Sequence, residues 1–154
     1  MLTLWLVILS VCSYTHSKSH FVVMREMSKQ FGIVILNPCK QKLNLTENII
    51  QDFRNFWRHD QVLDKKEVGC TVNCVEKELK LIDSNEQLNL PNVVEFMRAN
   101  GADDEMIINF LNILQECRKV KSESEISEDI CSSSLELANC FRKGCWERHW
   151  VPDI

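Results

Sequence analysis

The sequence has little glycine and little proline, the residues that most often mark turns. Its 154 residues include four glycines and three prolines, while 45% of the residues are hydrophobic. An all-β domain needs a turn about every ten residues, so this composition argues against a sheet protein and favours long helices. The length suffices for one domain with a buried core.

Clusters of basic residues and metal-ligand spacings are also missing. The formal net charge is −4, and the lysines and arginines are scattered along the chain. Binding to nucleic acid or to an anionic membrane surface is therefore not expected. No Cys-x-x-Cys pair occurs and the histidines do not cluster, so we predict no metal site and no cofactor.

The first residues are typical of a secretory leader. A largely apolar run from Leu2 to Val11 is too short to span a bilayer and suits the core of a signal peptide. Small residues from Ser13 to Ser19 predict cleavage between residues 15 and 19. We therefore expect a signal peptide over residues 1–19, a secreted domain over residues 20–154, and no stable membrane insertion.

Eight cysteines are the most informative feature of the chain. Cys12 belongs to the predicted leader, and the next six follow one another after thirty, three, forty-two, thirteen and eight intervening residues. Secretion exposes them to an oxidising compartment, so we expect disulfides. The sequence alone does not choose among the pairings. Cys70 and Cys74 lie one helical turn apart and point the same way, so each should bond to another element.

The last cysteine, Cys145, has no predicted partner within the chain. One interpretation is a surface thiol that becomes capped. The other is an intermolecular disulfide that gives a covalent homodimer. A further open site is the sequon Asn44-Leu45-Thr46, which is either glycosylated or an unused triplet beside a helix cap at Thr46.

Apolar residues recur at helical spacing along most of the remaining chain. A first helix should start at His20, with a break near Gly32 and an end or a bend at Asn37-Pro38. A charged linker is expected from Val62 to Val68 and a charged loop from Lys121 to Asp129. Further helices are predicted over residues 46–57, 70–82, 91–99, 103–117 and 130–141, with Trp146 and Trp150 in a short tail.

The cysteine spacing and several short segments resemble the moth pheromone-binding and general odorant-binding group of insect odorant-binding proteins. The segments are Asp52-Phe53-Arg54-Asn55-Phe56-Trp57, Val68-Gly69-Cys70, Glu95-Phe96, Gly101-Ala102-Asp103-Asp104, and Cys140-Phe141 with Trp150-Val151-Pro152. The resemblance covers the whole predicted secreted domain. It implies an all-α fold of about six helices around one apolar cavity, with disulfides Cys39–Cys74, Cys70–Cys131 and Cys117–Cys140.

The same resemblance implies which residues bind the ligand. Matching positions in the family line the pocket at Phe31, Phe56, Trp57 and Phe141, with Val72, Leu81, Ile82 and Leu88 as further lining positions. Phe96 and Phe110 lie on inward faces of predicted helices and complete the candidate set. Each such residue, judged from its helical position alone, is as well explained as ordinary core.

Three departures from the family pattern affect the expected chemistry. Glu76 stands where some relatives have a serine that hydrogen-bonds the polar end of the ligand. A carboxylate there could hold an alcohol or an amine, or it could turn outward to solvent. The relatives also carry histidines where this chain reads Leu88-Asn89-Leu90-Pro91, and a longer tail beyond the position of Pro152. We therefore expect weak or absent pH switching by the tail.

The expected function is a secreted, non-catalytic carrier. It would bind small hydrophobic odorants or pheromones and carry them through sensillar lymph to olfactory receptors. A same-fold alternative is transport of lipid-like ligands in non-olfactory tissue, and a different class is a disulfide-rich helical signalling protein with a filled core. His59-Asp60 suggests phospholipase chemistry only superficially, because no glycine-rich calcium loop accompanies it, and we predict no enzyme activity.

Overall fold

The computed structural model describes residues 18–123 and 129–151, and within them the chain is all-α. The predicted signal peptide and its cleavage site lie almost entirely outside these ranges. The only extended pairing in the described residues is an isolated antiparallel bridge between Ile82 and Leu88. No helix described is both long enough and apolar enough to cross a membrane. The elements are α1 (His20–Val34), a π-helical turn (Ile35–Cys39), α2 (Lys40–Leu43), α3 (Glu47–Arg54), α4 (Lys66–Glu78), α5 (Leu90–Ala99), α6 (Asp104–Glu123) and α7 (Ile130–Glu147).

Several helix boundaries follow from local residues. Asn89 caps α5, with its Oδ1 accepting from the backbone N–H of Asn92 at 3.3 Å. Gly101, with φ of +96°, follows the end of that helix in a conformation that glycine adopts readily. Asp103 Oδ1 accepts from the N–H of Met106 at 2.8 Å and so caps the start of α6. Thr46 is the N-cap residue of α3, although its side chain makes no capping hydrogen bond.

The first helix is longer than predicted. It neither breaks at Gly32 nor ends at Asn37-Pro38, because α1 continues through the π-helical turn into α2 without an interruption. Proline lacks the N–H that a regular helical turn would use, and its ring crowds the preceding turn. A π-helical turn is wider than an α-helical one, so it accommodates Pro38 while the chain remains helical.

The predictions of two charged loops are partly wrong, because helices extend into both segments. Helix α4 begins at Lys66 inside the expected linker, and α6 extends to Glu123 inside the expected loop from Lys121 to Asp129. Helix α7 runs on to Glu147, which places Trp146 in the helix rather than in the tail. Charged residues with good helix propensity extend a helix on its solvent-facing side without disturbing the core. Residues 124–128 of the predicted loop lie outside the described residues.

Three disulfides join the helices with the pairing that the resemblance implies. The bonds are Cys39–Cys74, Cys70–Cys131 and Cys117–Cys140. As expected, Cys70 and Cys74 connect α4 to two different elements, α7 and the π-helical turn. The remaining bond joins α6 to α7.

The structure corrects both interpretations of Cys145. Its side chain is fully buried in the larger core cluster, and burial raises the pKa of its thiol far above the ordinary value. A buried thiol in its neutral form is neither a surface group for capping nor available for a disulfide to a second chain. The free cysteine is therefore part of the core.

The crossing of α4 and α7 depends on Gly69. A Cβ atom at this position would lie 1.8 Å from the carbonyl oxygen of Cys131 and 2.9 Å from the Cβ of Leu135. Only glycine permits so close an approach of two helix backbones. The neighbouring Cys70–Cys131 bond then covalently fixes the same crossing.

The buried hydrophobic residues form two clusters. The larger cluster includes Met27, Met97 and Ile113, and the smaller includes Ile50 and Val68. Phe31 and Leu79 pack against both clusters. The two clusters therefore meet at these side chains.

Candidate ligand cavity

An apolar cavity of about 400 Å³ lies inside the helical fold. Ten of the eleven residues predicted for the site line it, and they come from segments far apart in the sequence. They are Phe31, Phe56, Trp57, Val72, Glu76, Leu81, Leu88, Phe96, Phe110 and Phe141. A volume in this range is typical of small-molecule sites, and an interior lined mainly by apolar and aromatic side chains suits an apolar ligand.

Ile82 is the predicted residue that does not line the cavity. It is buried, and its backbone forms the bridge with Leu88. Leu81 lines the cavity and its neighbour Ile82 does not, so a ligand contact by Ile82 stays a prediction.

Aromatic rings form much of the cavity wall. Phe31 of α1 stacks with Phe96 of α5 at 5.7 Å between ring centroids, and Phe110 of α6 meets Phe141 of α7 edge-on at 5.0 Å. Trp57, in the segment after α3, lies 6.3 Å from Phe141. Contacts at these separations stabilise the rings beyond their burial alone. The wall is therefore built from elements brought together by the fold.

Ser28 fixes the indole of Trp57 and was not predicted from the sequence. Trp57 Nε1 donates to Ser28 Oγ at 3.0 Å, and Ser28 Oγ donates to the carbonyl of Met24 at 2.8 Å. Ser28 and Trp57 both line the cavity, but the polar groups of both side chains are hydrogen-bonded within the protein. The pair holds an aromatic surface toward the interior without offering a free polar group.

Arg142 holds the segment that carries Phe56 and Trp57. This buried arginine donates from Nη2 to the carbonyls of Arg58 and Gln61, each at 3.1 Å. Its guanidinium lies over the ring of Phe56 at 5.3 Å and over that of Trp146 at 4.6 Å. Burial lowers the pKa of Arg142.

Two neighbours of Arg142 on α7 strengthen this connection. Trp146 Nε1 donates to the carbonyl of Trp57 at 3.1 Å, and Asn139 Nδ2 donates to the carbonyl of Leu63 at 2.9 Å. Asn139, Arg142 and Trp146 follow one another at the i, i+3 and i+7 positions of one helix face. This spacing could have shown from the sequence that the three residues share one helix face. It could not have shown which carbonyl groups they bind.

Three charged side chains line the cavity, Arg54 of α3, Glu76 of α4 and Arg118 of α6. Glu76 of α4 is half-buried and faces the interior, so the outward orientation considered for it is not adopted. Arg118 of α6 is half-buried, and its Nε is buried without a hydrogen-bond partner in the described part of the chain. Burial lowers the pKa of Arg118, while the negative charge of Glu76 acts in the opposite direction. The position of Arg118 in the wall was not predicted from the sequence.

His59 and Asp60 each contact a further side chain. The His59 ring is stacked on Trp146 at 4.3 Å between centroids, and Asp60 binds Arg58 at 2.8 Å. The hydrogen bond from Arg58 lowers the pKa of the Asp60 carboxyl. Within residues 18–123 and 129–151, no three His, Cys, Asp or Glu side chains are grouped as metal ligands would be.

The described residues thus have the features of one class of proteins: small helical domains, crosslinked by disulfides, with an apolar interior cavity. The model of the PBP/GOBP family matches residues 23–144. Pheromone-binding protein 2 of Epiphyas postvittana is 32% identical over 130 residues, which cover 84% of this chain and 76% of that protein. General odorant-binding protein 1 of Heliothis virescens is 25% identical over 132 residues, 86% of this chain and 78% of that protein.

A solved structure supports the same relationship. The crystal structure of Epiphyas postvittana pheromone binding protein 3 matches with a TM-score of 0.67 and 38% identity, over 75% of this chain and 96% of that chain. The chain therefore belongs to the PBP/GOBP family, whose members are odorant- and pheromone-binding carriers and not enzymes.

Proposed function

We propose that this protein is a secreted carrier that binds small hydrophobic odorants or pheromones in its interior cavity. It would carry them through sensillar lymph to olfactory receptors. The observation on which this proposal depends is the apolar cavity of about 400 Å³, lined by aromatic and aliphatic side chains from α1, the π-helical turn and α3 to α7. The predicted ligand-binding residues that line it are proposed to contact the bound molecule.

The expected affinity follows from the apolar area that a ligand would bury. Each buried methylene contributes about 0.8 kcal/mol, so a chain of about ten contributes roughly 8 kcal/mol. Ordering the chain and restricting its overall motion cost several kcal/mol. Tight aromatic packing recovers part of that cost, and we expect dissociation constants near the micromolar range.

The expected location rests on different features. The leader over residues 1–19 would direct export, and disulfides form and persist in oxidising compartments. Three disulfides between helices are consistent with such a destination. A role in another tissue with lipid-like ligands would use the same cavity, and localisation of the transcript in antennal or other tissue distinguishes the two. A signalling protein with a filled interior is disfavoured by the cavity.

Displacement of a fluorescent apolar dye tests the proposal. The chain is expressed with its leader, purified from the medium, and titrated with the dye and then with aliphatic odorants. We expect dye binding that alkyl ligands reverse. A Leu114→Trp variant fills the cavity and should weaken dye binding about tenfold or more, while Leu43→Trp, at an exposed position outside the lining, should not.

The readouts separate binding from folding. Circular dichroism and a thiol count establish that each variant is helical with three disulfides. A folded wild-type protein that neither binds the dye nor gains thermal stability with any alkyl ligand would contradict the carrier function.

A further inference from the structure

The turn between α2 and α3 carries the sequon Asn44-Leu45-Thr46, a motif that ligand binding does not explain. Asparagine followed two residues later by serine or threonine, with no proline between them, is the acceptor sequence for N-linked oligosaccharides. Of all the asparagines in the sequence, only Asn44 meets this rule. None of the three residues of the sequon is among the described residues that line the ligand cavity. The sequon therefore belongs to a separate surface of the molecule.

Leu45 anchors this turn in the interior and leaves its two neighbours outside. Leu45 is buried in the smaller core cluster, whereas Asn44 and Thr46 are both exposed. The backbone N–H of Leu45 donates to the carbonyl of Lys40 at 3.1 Å, which closes the end of α2. The folded turn can therefore carry a sugar on Asn44 without displacing any part of the core.

The geometry of the turn distinguishes the two interpretations of the triplet. A threonine that caps a helix accepts from an N–H of the first turn, but the Thr46 side chain makes no capping hydrogen bond within the described part of the chain. Capping therefore does not account for the hydroxyl at this position. Asn44 ends α2 in the left-handed conformation, with φ of 51° and ψ of 49°. Glycine adopts that conformation at least as readily, so the helix end does not by itself require asparagine.

We propose that Asn44 carries an N-linked oligosaccharide, an inference that goes beyond ligand carriage and rests on the proposed export of the chain. The donor is a lipid-linked oligosaccharyl diphosphate of the secretory compartment. The Asn44 Nδ2 atom forms a bond to the anomeric carbon of the first sugar, and the bond from that carbon to the diphosphate oxygen breaks. The amide loses one proton, and the lipid diphosphate is the leaving group.

A groove of about 370 Å³ beside Asn44 gives the first sugar a surface to lie against. The sequon, the first turn of α3 and the start of α4 form it, and its lining combines polar and aliphatic side chains: Asn44, Leu45, Thr46, Asn48, Ile49, Lys65 and Glu67. A sugar likewise combines hydroxyl groups with apolar ring faces. The groove shares no described residue with the ligand cavity, so the oligosaccharide should leave ligand binding unchanged.

The test measures the electrophoretic mobility and the mass of the full chain, expressed with its leader in insect cells. A peptide-N-glycosidase releases the oligosaccharide and converts the acceptor asparagine to aspartate, so peptide mass spectrometry locates the site. We expect one loss of mass on treatment, with the conversion at position 44. The affinity for the fluorescent dye should be the same before and after treatment.

Matched variants assign the modification to the sequon rather than to the turn. Asn44→Gly removes the acceptor nitrogen but suits the left-handed backbone, and Thr46→Val removes the hydroxyl at nearly constant size. Both variants should lose the oligosaccharide completely, while Thr46→Ser keeps the sequon and should keep it. Asn48→Gln is the control, since Asn48 is exposed on the same groove but belongs to no sequon, and its oligosaccharide should be unchanged. Circular dichroism compares the fold of all four.

The possible results separate this inference from the carrier function. A secreted chain whose mass does not change on treatment would overturn the inference and leave the carrier function standing. An oligosaccharide that persists in Asn44→Gly would also overturn it, because the sugar would then be attached elsewhere. A glycosylated chain that binds no dye would contradict only the carrier function. A chain that stays in the cytosol would overturn the proposed export together with this inference.

Discussion

At the scale of single residues, Arg142 shows how a buried charge shapes an apolar cavity. It has no carboxylate partner in the described part of the chain, and the backbone carbonyls of Arg58 and Gln61 accept from it instead. Those carbonyls belong to the irregular segment that presents Phe56 and Trp57 to the interior. Arg142 therefore positions the wall without lining the cavity itself.

Substitution of this arginine tests that role. Arg142→Met should lower the free energy of unfolding by about 2–3 kcal/mol, because two carbonyls lose a charged donor and the contacts with Phe56 and Trp146 weaken. It should also raise the dissociation constant of the dye several-fold, because the wall segment loses its support. Urea unfolding and dye titration measure the two effects.

The adjacent lysine provides the control for this prediction. Lys143→Met changes the same type of charge on a side chain that is 75% exposed, so both measurements should stay close to those of the wild type. If Arg142→Met unfolded at the same urea concentration as Lys143→Met, the positioning role of Arg142 would be wrong.

At the scale of helices, one type of substitution should have opposite effects at two glycines. Gly69→Ala places a methyl group against the backbone of Cys131 and should cost about 3 kcal/mol or more, since neither backbone can move away. Gly32→Ala meets no atom within 4 Å and lies inside helix α1, so it should stabilise the protein by roughly 0.5–1 kcal/mol. Thermal unfolding of both variants compares them, and a stable Gly69→Ala protein would show that the helix crossing is looser than described.

The start of α7 gives a pH-dependent contribution to stability. Asp129 accepts from Ser132 Oγ at 2.6 Å and pairs with Lys66 Nζ of α4 at 3.0 Å. The hydrogen bond from Ser132, followed by that from Lys66, lowers the pKa of Asp129 from 3.8 to about 2. A carboxyl with a lowered folded-state pKa stabilises the fold fully above its unfolded pKa. The contribution is lost as the pH falls from about 4 through about 2.

The substitution Asp129→Asn tests this dependence, because asparagine retains a capping oxygen but carries no charge. The melting temperature of the variant should be a few degrees lower at neutral pH, and the difference from the wild type should disappear near pH 2. An undiminished difference at that pH would mean that the ionised carboxylate is not the source.

At the scale of the whole molecule, the disulfides offset the incomplete packing of the interior. A cavity forgoes the contacts that a filled core would make. Crosslinks limit the freedom of the unfolded chain, and in the chain-entropy model each should contribute about 3–4 kcal/mol, less than additively where their loops overlap. Replacement of Cys117 and Cys140 together by alanine should therefore lower the unfolding free energy by about 3 kcal/mol, measured by urea denaturation.

A matched variant distinguishes the crosslink from the cysteine side chains. Cys145→Ala also removes a buried sulfur atom but leaves all three bonds intact, so it should cost only about 1 kcal/mol. Equal losses in the two variants would indicate that packing, not crosslinking, accounts for the effect.

Two kinds of feature could be predicted from the sequence. Some depend on neighbouring residues, and others are implied by the resemblance to the family. Helix faces, the N-cap position at Thr46 and the end of α5 before Gly101 follow from neighbouring residues. The cysteine pairing and most lining residues came from the resemblance, because spacing alone leaves several pairings open. Each of these predictions uses information within a few residues or a shared pattern of spacing.

Other features depend on partners distant in the chain and could not be predicted. Arg142 bonds carbonyls more than 80 residues away, and Ser28 meets Trp57 across 29 residues. That Glu76 and Arg118 line the same cavity depends on how the fold places α4 and α6 around it. The continuation of α1 through Pro38 was missed because a π-helical turn has no simple signature in the sequence.

The placement of the crosslinks has a consequence for the range of guests that the interior accepts. Helices α4, α6 and α7 are each tied by at least one disulfide, and α4 and α7 touch backbone to backbone at Gly69. Helices α3 and α5 carry no cysteine, yet Phe53 of α3 and Phe96 of α5 form part of the wall. A molecule bulkier than the resting cavity is therefore expected to push these two helices outward, so that their stiffness sets the upper size of the cargo.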